Sequence, residues 1–331
     1  MFEIVKRLPL AVELKRELPM TEAQHKIKRL RDEVVVRILT GRSDKFLLLI
    51  GPCSADNCDA VLEYTSALAK IAAGVQDRIL VIPRVFTAKP RTATAGYMGM
   101  VHDADGIRDA RRLHLDVLRT TGLVTADDLL YPSLYPYFDD VVSYFVVGTR
   151  SVENQEHRLV ASGIGAPVGI KNPSSGNLNS LVSAISAAQS HHSFVFNGNR
   201  VRTGGNHLAH AILRGENNKS GYVPNYSTES ILALNAAYTA GSVNNHAAII
   251  DTNHANSGKD HKKQSKIALD VLRARKNSPV VEKLVKGLMI ESYIHEGNAE
   301  KDGAEFGRSV TDPCISLRET AELIRQIAEL L

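Results

Sequence analysis

The sequence predicts a (β/α)8 barrel with an N-terminal helical extension. From residue 46 onward, short apolar runs alternate with helix-like stretches, as they do where buried parallel strands are covered by helices. About eight such units fill the ~280 residues available, which suits a closed barrel better than an open doubly wound sheet. No G-x-G-x-x-G follows the first strand and no G-x-x-x-x-G-K-[ST] occurs, so the usual nucleotide sites of open sheets are absent. The chain therefore divides into an extension, 1–45, and a barrel, 46–331.

The extension opens its helix at Thr21-Glu22-Ala23-Gln24. This is a capping box, in which hydroxyl and amide satisfy the first free N–H groups. Ile27, Leu30, Val34 and Ile38 recur at helical spacing until Gly41 stops the run. Such a stripe has to be buried, on its own barrel or on another subunit. Strands are expected near 46–50, 79–83, 122–126, 142–148, 167–171, 193–196 followed by 209–213, 247–251 and 286–291. Helical patterns lie between them over 60–73, 107–120, 179–190 and 262–274.

Composition narrows the class. Hydrophobic residues make up 44% and charged residues 23%, matching a soluble globular chain with a large core. A net charge of +4 is small for 331 residues and favours anionic ligands weakly. Lys and Arg are not clustered as nucleic-acid binding would require. Cys53, Cys58 and Cys314 are too few for a disulfide framework and point to a reducing compartment. Met1 to Arg16 has no secretory apolar region, and no window approaches the ~18 apolar residues of a membrane span. A cytoplasmic location is expected.

In such barrels chemistry sits at the C-terminal ends of the strands. Cys53 follows the first strand in Leu-Leu-Leu-Ile-Gly-Pro-Cys-Ser. Arg84, Lys89 and Arg91 follow the second, Arg150 the fourth, and Lys171 ends the fifth. Arg214 follows the sixth unit, Asp251 and His254 the seventh, and Glu291 ends the eighth, with Asp312 further on. Two groups emerge. Cys53, His254, Glu291 and Asp312 form a mixed sulfur, nitrogen and oxygen donor set suited to a borderline divalent ion. Arg84, Lys89, Arg91, Arg150, Lys171 and Arg214 form a cationic ring suited to phosphate and carboxylate.

Each residue alone has a plainer explanation: His254 as a satisfied polar residue, Glu291 and Asp312 as caps or surface ion pairs, Arg84 or Arg150 as half of a structural pair. Together they are harder to dismiss, since stability alone would not place a charge at the end of so many buried strands. His191, His192, His207 and His210 also cluster, in a less regular segment where metal binding is not expected. Cys58 reads as inert, and Cys314 as a neighbour of Asp312.

These residues lie in segments that resemble the type I 3-deoxy-D-arabino-heptulosonate 7-phosphate (DAHP) synthase family. The similar segments include Ile50-Gly51-Pro52-Cys53-Ser54, Lys89-Pro90-Arg91-Thr92, Gly148-Thr149-Arg150, Gly169-Ile170-Lys171-Asn172, Leu213-Arg214-Gly215, His254-Ala255-Asn256-Ser257, Ile290-Glu291-Ser292 and Thr311-Asp312-Pro313-Cys314. They run in order from about residue 46 to the C-terminus. The resemblance implies a (β/α)8 barrel that condenses phosphoenolpyruvate with erythrose 4-phosphate and releases phosphate. It implies Cys53, His254, Glu291 and Asp312 as ligands of one divalent ion, Mn2+, Fe2+, Co2+ or Zn2+. Arg84, Lys89, Arg150, Lys171 and Arg214 would hold phosphoenolpyruvate, and Arg91 and Thr92 the aldose phosphate. Lys89 is the first choice of proton donor. The family also implies a homo-oligomer, dimer or tetramer, and feedback inhibition by an aromatic amino acid, both served by the extension.

The chain departs from the family's familiar pattern at Asn253, where Ser is common, and at Asp128, where Glu is expected. The loop Ala93 to Gly99 is one residue longer, and 193–207 diverges most. Three rivals are separable: a related synthase using another aldose phosphate, a Schiff-base aldolase using Lys171, and a non-catalytic sugar-phosphate regulator. Lys89-Pro90-Arg91-Thr92 speaks against the first, because arabinose 5-phosphate enzymes carry a Lys-Ala-Asn-Arg type segment there.

Overall fold

Phe46 to Ile50 are consecutive apolar residues that cannot leave either face in water, and they form β1 (Phe46–Gly51), buried throughout. In the computed structural model, which describes residues 1–89, 97–101, 104–219, 221–299 and 305–331, seven further strands join it. They are β2 (Ile79–Pro83), β3 (Thr125–Asp128), β4 (Val142–Val147), β5 (Val168–Lys171), β6 (His210–Leu213), β7 (Ala248–Asp251) and β8 (Val285–Glu291). The order in the sheet is β2-β1-β8-β7-β6-β5-β4-β3, and every pairing is parallel. The two end strands meet just beyond β2, where Arg84 bridges Ala126 and Val85 N–H donates to Ala126 O at 2.9 Å. That contact closes the barrel.

Most of the expected strands fall within a residue or two of those found, but two corrections are needed. The third strand was expected over 122–126 and lies at Thr125–Asp128. Its register is set by pairing Ala126 with Tyr144 and Asp128 with Val146, and the apolar pair Leu123-Val124 only leads into it. The sixth unit was expected as two successive pieces, yet only 210–213 enters the barrel. Residues 192–196 instead pair antiparallel with 199–203, a hairpin outside the barrel. Its turn is Asn197-Gly198, both at positive φ (47° and 75°), the backbone that the right-handed twist of a two-residue hairpin loop favours.

The extension holds two helices, α1 (Ala11–Glu17) and α2 (Glu22–Leu39). The capping box of α2 is present: Gln24 N donates to Thr21 Oγ1 and Thr21 N to Gln24 Oε1. The buried face is narrower than the apolar stripe suggested. Val35, Ile38 and Leu39 join the core, while Leu30 stays 51% exposed. Gln24 Nε2 donates to Leu115 O at 3.0 Å, tying the start of α2 to the helix at Ala104–Thr121, α4 in a series that counts Cys58–Ala73 as α3. The remaining barrel-covering helices include Gln155–Ala161, Leu178–Gln189, Thr228–Ala240, Gln264–Asn277 and Leu317–Leu330.

Inside the barrel, Tyr144 Oη and His210 Nε2 share a 2.6 Å hydrogen bond, and burial pushes His210 down to about 4. Gly169 makes room for this pair: a Cβ there would meet the Tyr144 hydroxyl and lie 2.5 Å from Ile212 Cδ1. The barrel is thus filled at that level, and the open space lies above it. Among the described residues no helix is long and apolar enough to cross a membrane.

Candidate active site

A cavity of about 330 Å3 opens at the C-terminal ends of the strands. Cys53, Arg84, Lys89, Arg150, Lys171, Arg214, His254, Glu291 and Asp312 all line it. Arg91 and Thr92 lie outside the described residues. The strands explain the convergence: each is parallel, so each C-terminal end delivers its next polar side chain to the same rim.

On one wall the donor atoms of Cys53, Glu291 and Asp312 lie within 4.8 Å of one another. His254 stands beside this group without joining it at that spacing, its Nε2 at 3.8 Å from Glu291 Oε1 and 4.0 Å from Asp312 Oδ2. Donors bound to one ion at about 2.0–2.3 Å lie no more than about 4.6 Å apart, so Cys53, Glu291 and Asp312 stand close to the spacing a single ion needs, with His254 within reach of two of them. Burial, reinforced by the Glu291 charge, pushes the Cys53 thiol up; a bound cation would reverse that and favour the thiolate.

The imidazole of His254 is aimed by its backbone and by Asp251. His254 has φ 52°, a left-handed conformation that costs a non-glycine residue about 1–2 kcal/mol and recurs at functional sites. Its Nδ1 lies 3.0 Å from Asp251 Oδ2, which leaves Nε2 for the donor set. Asp251 is fully buried and also receives Lys171 Nζ at 2.9 Å. Burial opposes its charge, but His254 and Lys171 together hold its carboxyl well below the usual range. Sequence reasoning named Asp251 at its strand end and gave it no role. The signal was present: it terminates an apolar run three residues before His254.

Glu291 joins the two groups. Its Oε1 accepts from Arg84 Nη2 at 2.9 Å and its Oε2 from Asn253 Nδ2 at 2.6 Å. Arg84 is 1% exposed, stacks its guanidinium 4.3 Å over the Phe86 ring, and keeps Nε and Nη1 buried without a partner among the described residues. Arg214 Nε is likewise buried and unpartnered, and burial lowers the pKa of that guanidinium. Lys89 donates to the Cys53 carbonyl and stands 3.6 Å from its sulfur. Arg150 is exposed at the mouth. Lys259, which sequence reasoning passed over, lies 3.6 Å from Asp312 Oδ1 at the rim.

Asp128 is an acid among these cations. It ends β3, lines the cavity, and its Oδ1 is buried with no hydrogen-bond partner among the described residues. Burial raises its carboxyl to about 6 against the pull of Lys89 and Lys171. The other expected cluster does not form around one point: His192 Nε2 pairs with Ala187 O and His210 with Tyr144.

Comparison with known proteins identifies the family. Residues 17–325 match the model of the DAHP synthetase I family. A Phe-sensitive phospho-2-dehydro-3-deoxyheptonate aldolase of Escherichia coli K12 is 35% identical, the match covering 98% of this chain and 94% of that protein. A Tyr-sensitive counterpart from Salmonella typhimurium is 34% identical over 95% of this chain and 90% of its own length. The solved structure of the phospho-2-dehydro-3-deoxyheptonate aldolase of Francisella tularensis SCHU S4 superposes with a TM-score of 0.91 at 32% identity, covering 100% of this chain and 98% of that one.

Proposed function

This chain belongs to the DAHP synthetase I family, and from that premise we propose how its cavity carries the reaction. The reaction joins phosphoenolpyruvate to D-erythrose 4-phosphate, giving DAHP and phosphate, the first step of the shikimate pathway. Both substrates are anions, so the cavity must first hold like charges together. Arg84, Lys89, Arg150, Lys171 and Arg214 take the carboxylate and phosphate of phosphoenolpyruvate, and Arg91 with Thr92 takes the aldose phosphate. The buried, unpartnered donors of Arg84 and Arg214 support this assignment. A buried donor left without a partner costs about 1–3 kcal/mol, and an anionic oxygen would remove that cost.

Carbon 3 of the enol attacks the aldehyde carbon, and charge develops on the aldehyde oxygen. One divalent ion held by Cys53, His254, Glu291 and Asp312 would supply a Lewis acid for that charge; Mn2+, Fe2+, Co2+ and Zn2+ all suit the donor set. Water adds at carbon 2, the carbon–oxygen bond to phosphate breaks, and Lys89 donates the proton this sequence requires. Asp251 holds His254 and Lys171 in place for both tasks. Lys171 acts as a cation, since its ammonium is engaged by Asp251; substrate-dependent inactivation by borohydride would instead mark a Schiff base.

A homo-oligomer, dimer or tetramer, and feedback by an aromatic amino acid complete the proposal. Phe2 and Val5 are 104% and 90% exposed in the single chain, apolar surface that a second subunit would cover. Two of the similar proteins carry Phe or Tyr sensitivity in their names. The observation that carries the whole reading is the 2.9 Å contact of Arg84 with Glu291, which sets the anion-binding wall against the metal-binding wall. Cys53→Ala tests it: bound metal and turnover are lost while the circular dichroism spectrum is kept. Metal-dependent activity in that variant would refute the donor set.

A further inference from the structure

β3 ends in two adjacent carboxylates, and because side chains alternate along a strand they serve opposite sides. Asp128 faces the cavity. Asp127 is 3% exposed and points the other way, into a network that the reaction as described does not use. Its Oδ1 accepts Thr87 N at 2.8 Å and Asp128 N at 2.7 Å; its Oδ2 accepts Thr87 Oγ1 at 2.6 Å and faces His114 Nε2 at 3.1 Å. His114 is wholly buried, and its Nδ1 lies 2.8 Å from Thr125 Oγ1. Every acceptor position of the Asp127 carboxylate is thus directed at a fixed donor.

Thr87 sits between Arg84 and Lys89, beyond the end of β2. Past Pro83 the chain is attached to the barrel by Arg84 N to Ile50 O, Val85 N to Ala126 O, and Ala55 N to Phe86 O. The next attachment is Asp127, which takes both the backbone N–H and the hydroxyl of Thr87. Thr87 O then accepts Met100 N at 2.7 Å, and Ala88 bridges Gly99. Gly99 is required there: φ is +96°, and a Cβ would lie 2.6 Å from Thr87 O. Lys89 leaves this clamp with its ammonium at the Cys53 carbonyl.

We propose that Asp127, oriented by His114 and acting through Thr87, is a positioning residue for Lys89. This rests on Lys89 being the proton donor. The tether fixes where the ammonium stands; Lys89 is one of five cations assigned to phosphoenolpyruvate, and Arg84, Arg150, Lys171 and Arg214 keep their places when it shifts. Loosening the tether therefore lowers kcat far more than it raises the KM for phosphoenolpyruvate, because a misplacement of about 1 Å suffices to slow a proton transfer by one to two orders of magnitude, whereas four other cations still hold the substrate.

The test uses full-length, metal-loaded enzyme. Thr87→Val keeps the shape and removes the hydroxyl; Thr87→Ser keeps the hydroxyl. The expected result is a kcat about tenfold lower for Thr87→Val, a KM for phosphoenolpyruvate within about twofold of wild type, unchanged metal content, and near-wild-type turnover for Thr87→Ser. Asp127→Asn, with the same expected split, serves if Thr87→Val does not fold. Combining Thr87→Val with Lys89→Met should lower kcat no further than Lys89→Met alone, since both act through one ammonium. Equal effects of the Val and Ser variants, or a loss that adds fully to that of Lys89→Met, would overturn the tether while leaving the role of Lys89 standing. Wild-type turnover in Lys89→Met would overturn both.

Discussion

Burial raises the Asp128 carboxyl to about 6, against the pull of Lys89, Lys171 and Arg84. In the unfolded chain the same group ionises near 3.8. Between those values the folded protein keeps a proton that the unfolded chain has lost, so stability falls as pH rises through about 4 to 6 and the cost is complete above the folded value. The full cost is about 3 kcal/mol as an upper bound, at ~1.4 kcal/mol per pKa unit. Asp128→Asn removes it. Urea unfolding of the metal-free, substrate-free variant should show a gain over wild type at pH 7.5 that falls to about a third by pH 4.5; a gain equal at both would contradict the assignment. Asp128 was visible in the sequence only as a departure from a family pattern, because nothing in the letters Ala-Asp-Asp says which carboxylate turns inward. Cys53, Lys171 and Glu291 were legible for the opposite reason: each closes an apolar run, where a charge or a thiol has few other reasons to be.

Among the elements, what the sequence hid was chiefly the partner of each run. Ser-Phe-Val-Phe at 193–196 has the same apolar character as a barrel strand, yet Asn197-Gly198 turns it back on 199–203. That dipeptide was the available signal, since a two-residue loop with both φ positive joins antiparallel neighbours and cannot lead into a parallel crossover. The third strand slipped for a related reason: its last two residues are Asp127 and Asp128, whose placement depends on His114, Thr87 and the cavity cations. At β5 the element-scale prediction concerns Gly169. A methyl group there runs into Tyr144 and Ile212, so Gly169→Ala should destabilise by about 1–3 kcal/mol through overpacking. Differential scanning calorimetry reads it as a lowered Tm; an unchanged Tm would mean that the barrel interior is looser at this level than the contacts require.

For the molecule as a whole, the closure of the barrel and the candidate site share Arg84. The bridge from Arg84 to Ala126 joins the last edges of the barrel, and the Arg84 side chain meets Glu291 on the opposite neighbour of β1. Cys53 and His254 follow β1 and β7, Glu291 ends β8, and Asp312 arrives from the segment after it, so the candidate donor set is gathered by three neighbouring strands, β1, β8 and β7. The barrel itself was legible from alternation and unit count, and the rim from the residues that end its strands. The register that brings them within reach of one another was not, because it depends on pairings between strands far apart in the chain. The central claim is that this rim condenses phosphoenolpyruvate with erythrose 4-phosphate by a metal-dependent route. It is tested most directly by measuring phosphate release from the two substrates before and after EDTA, with Mn2+ then restored and with Phe, Tyr and Trp added in separate arms. The account predicts release that EDTA abolishes, that Mn2+ restores, and that one aromatic amino acid lowers. Release that continues undiminished in EDTA would contradict it.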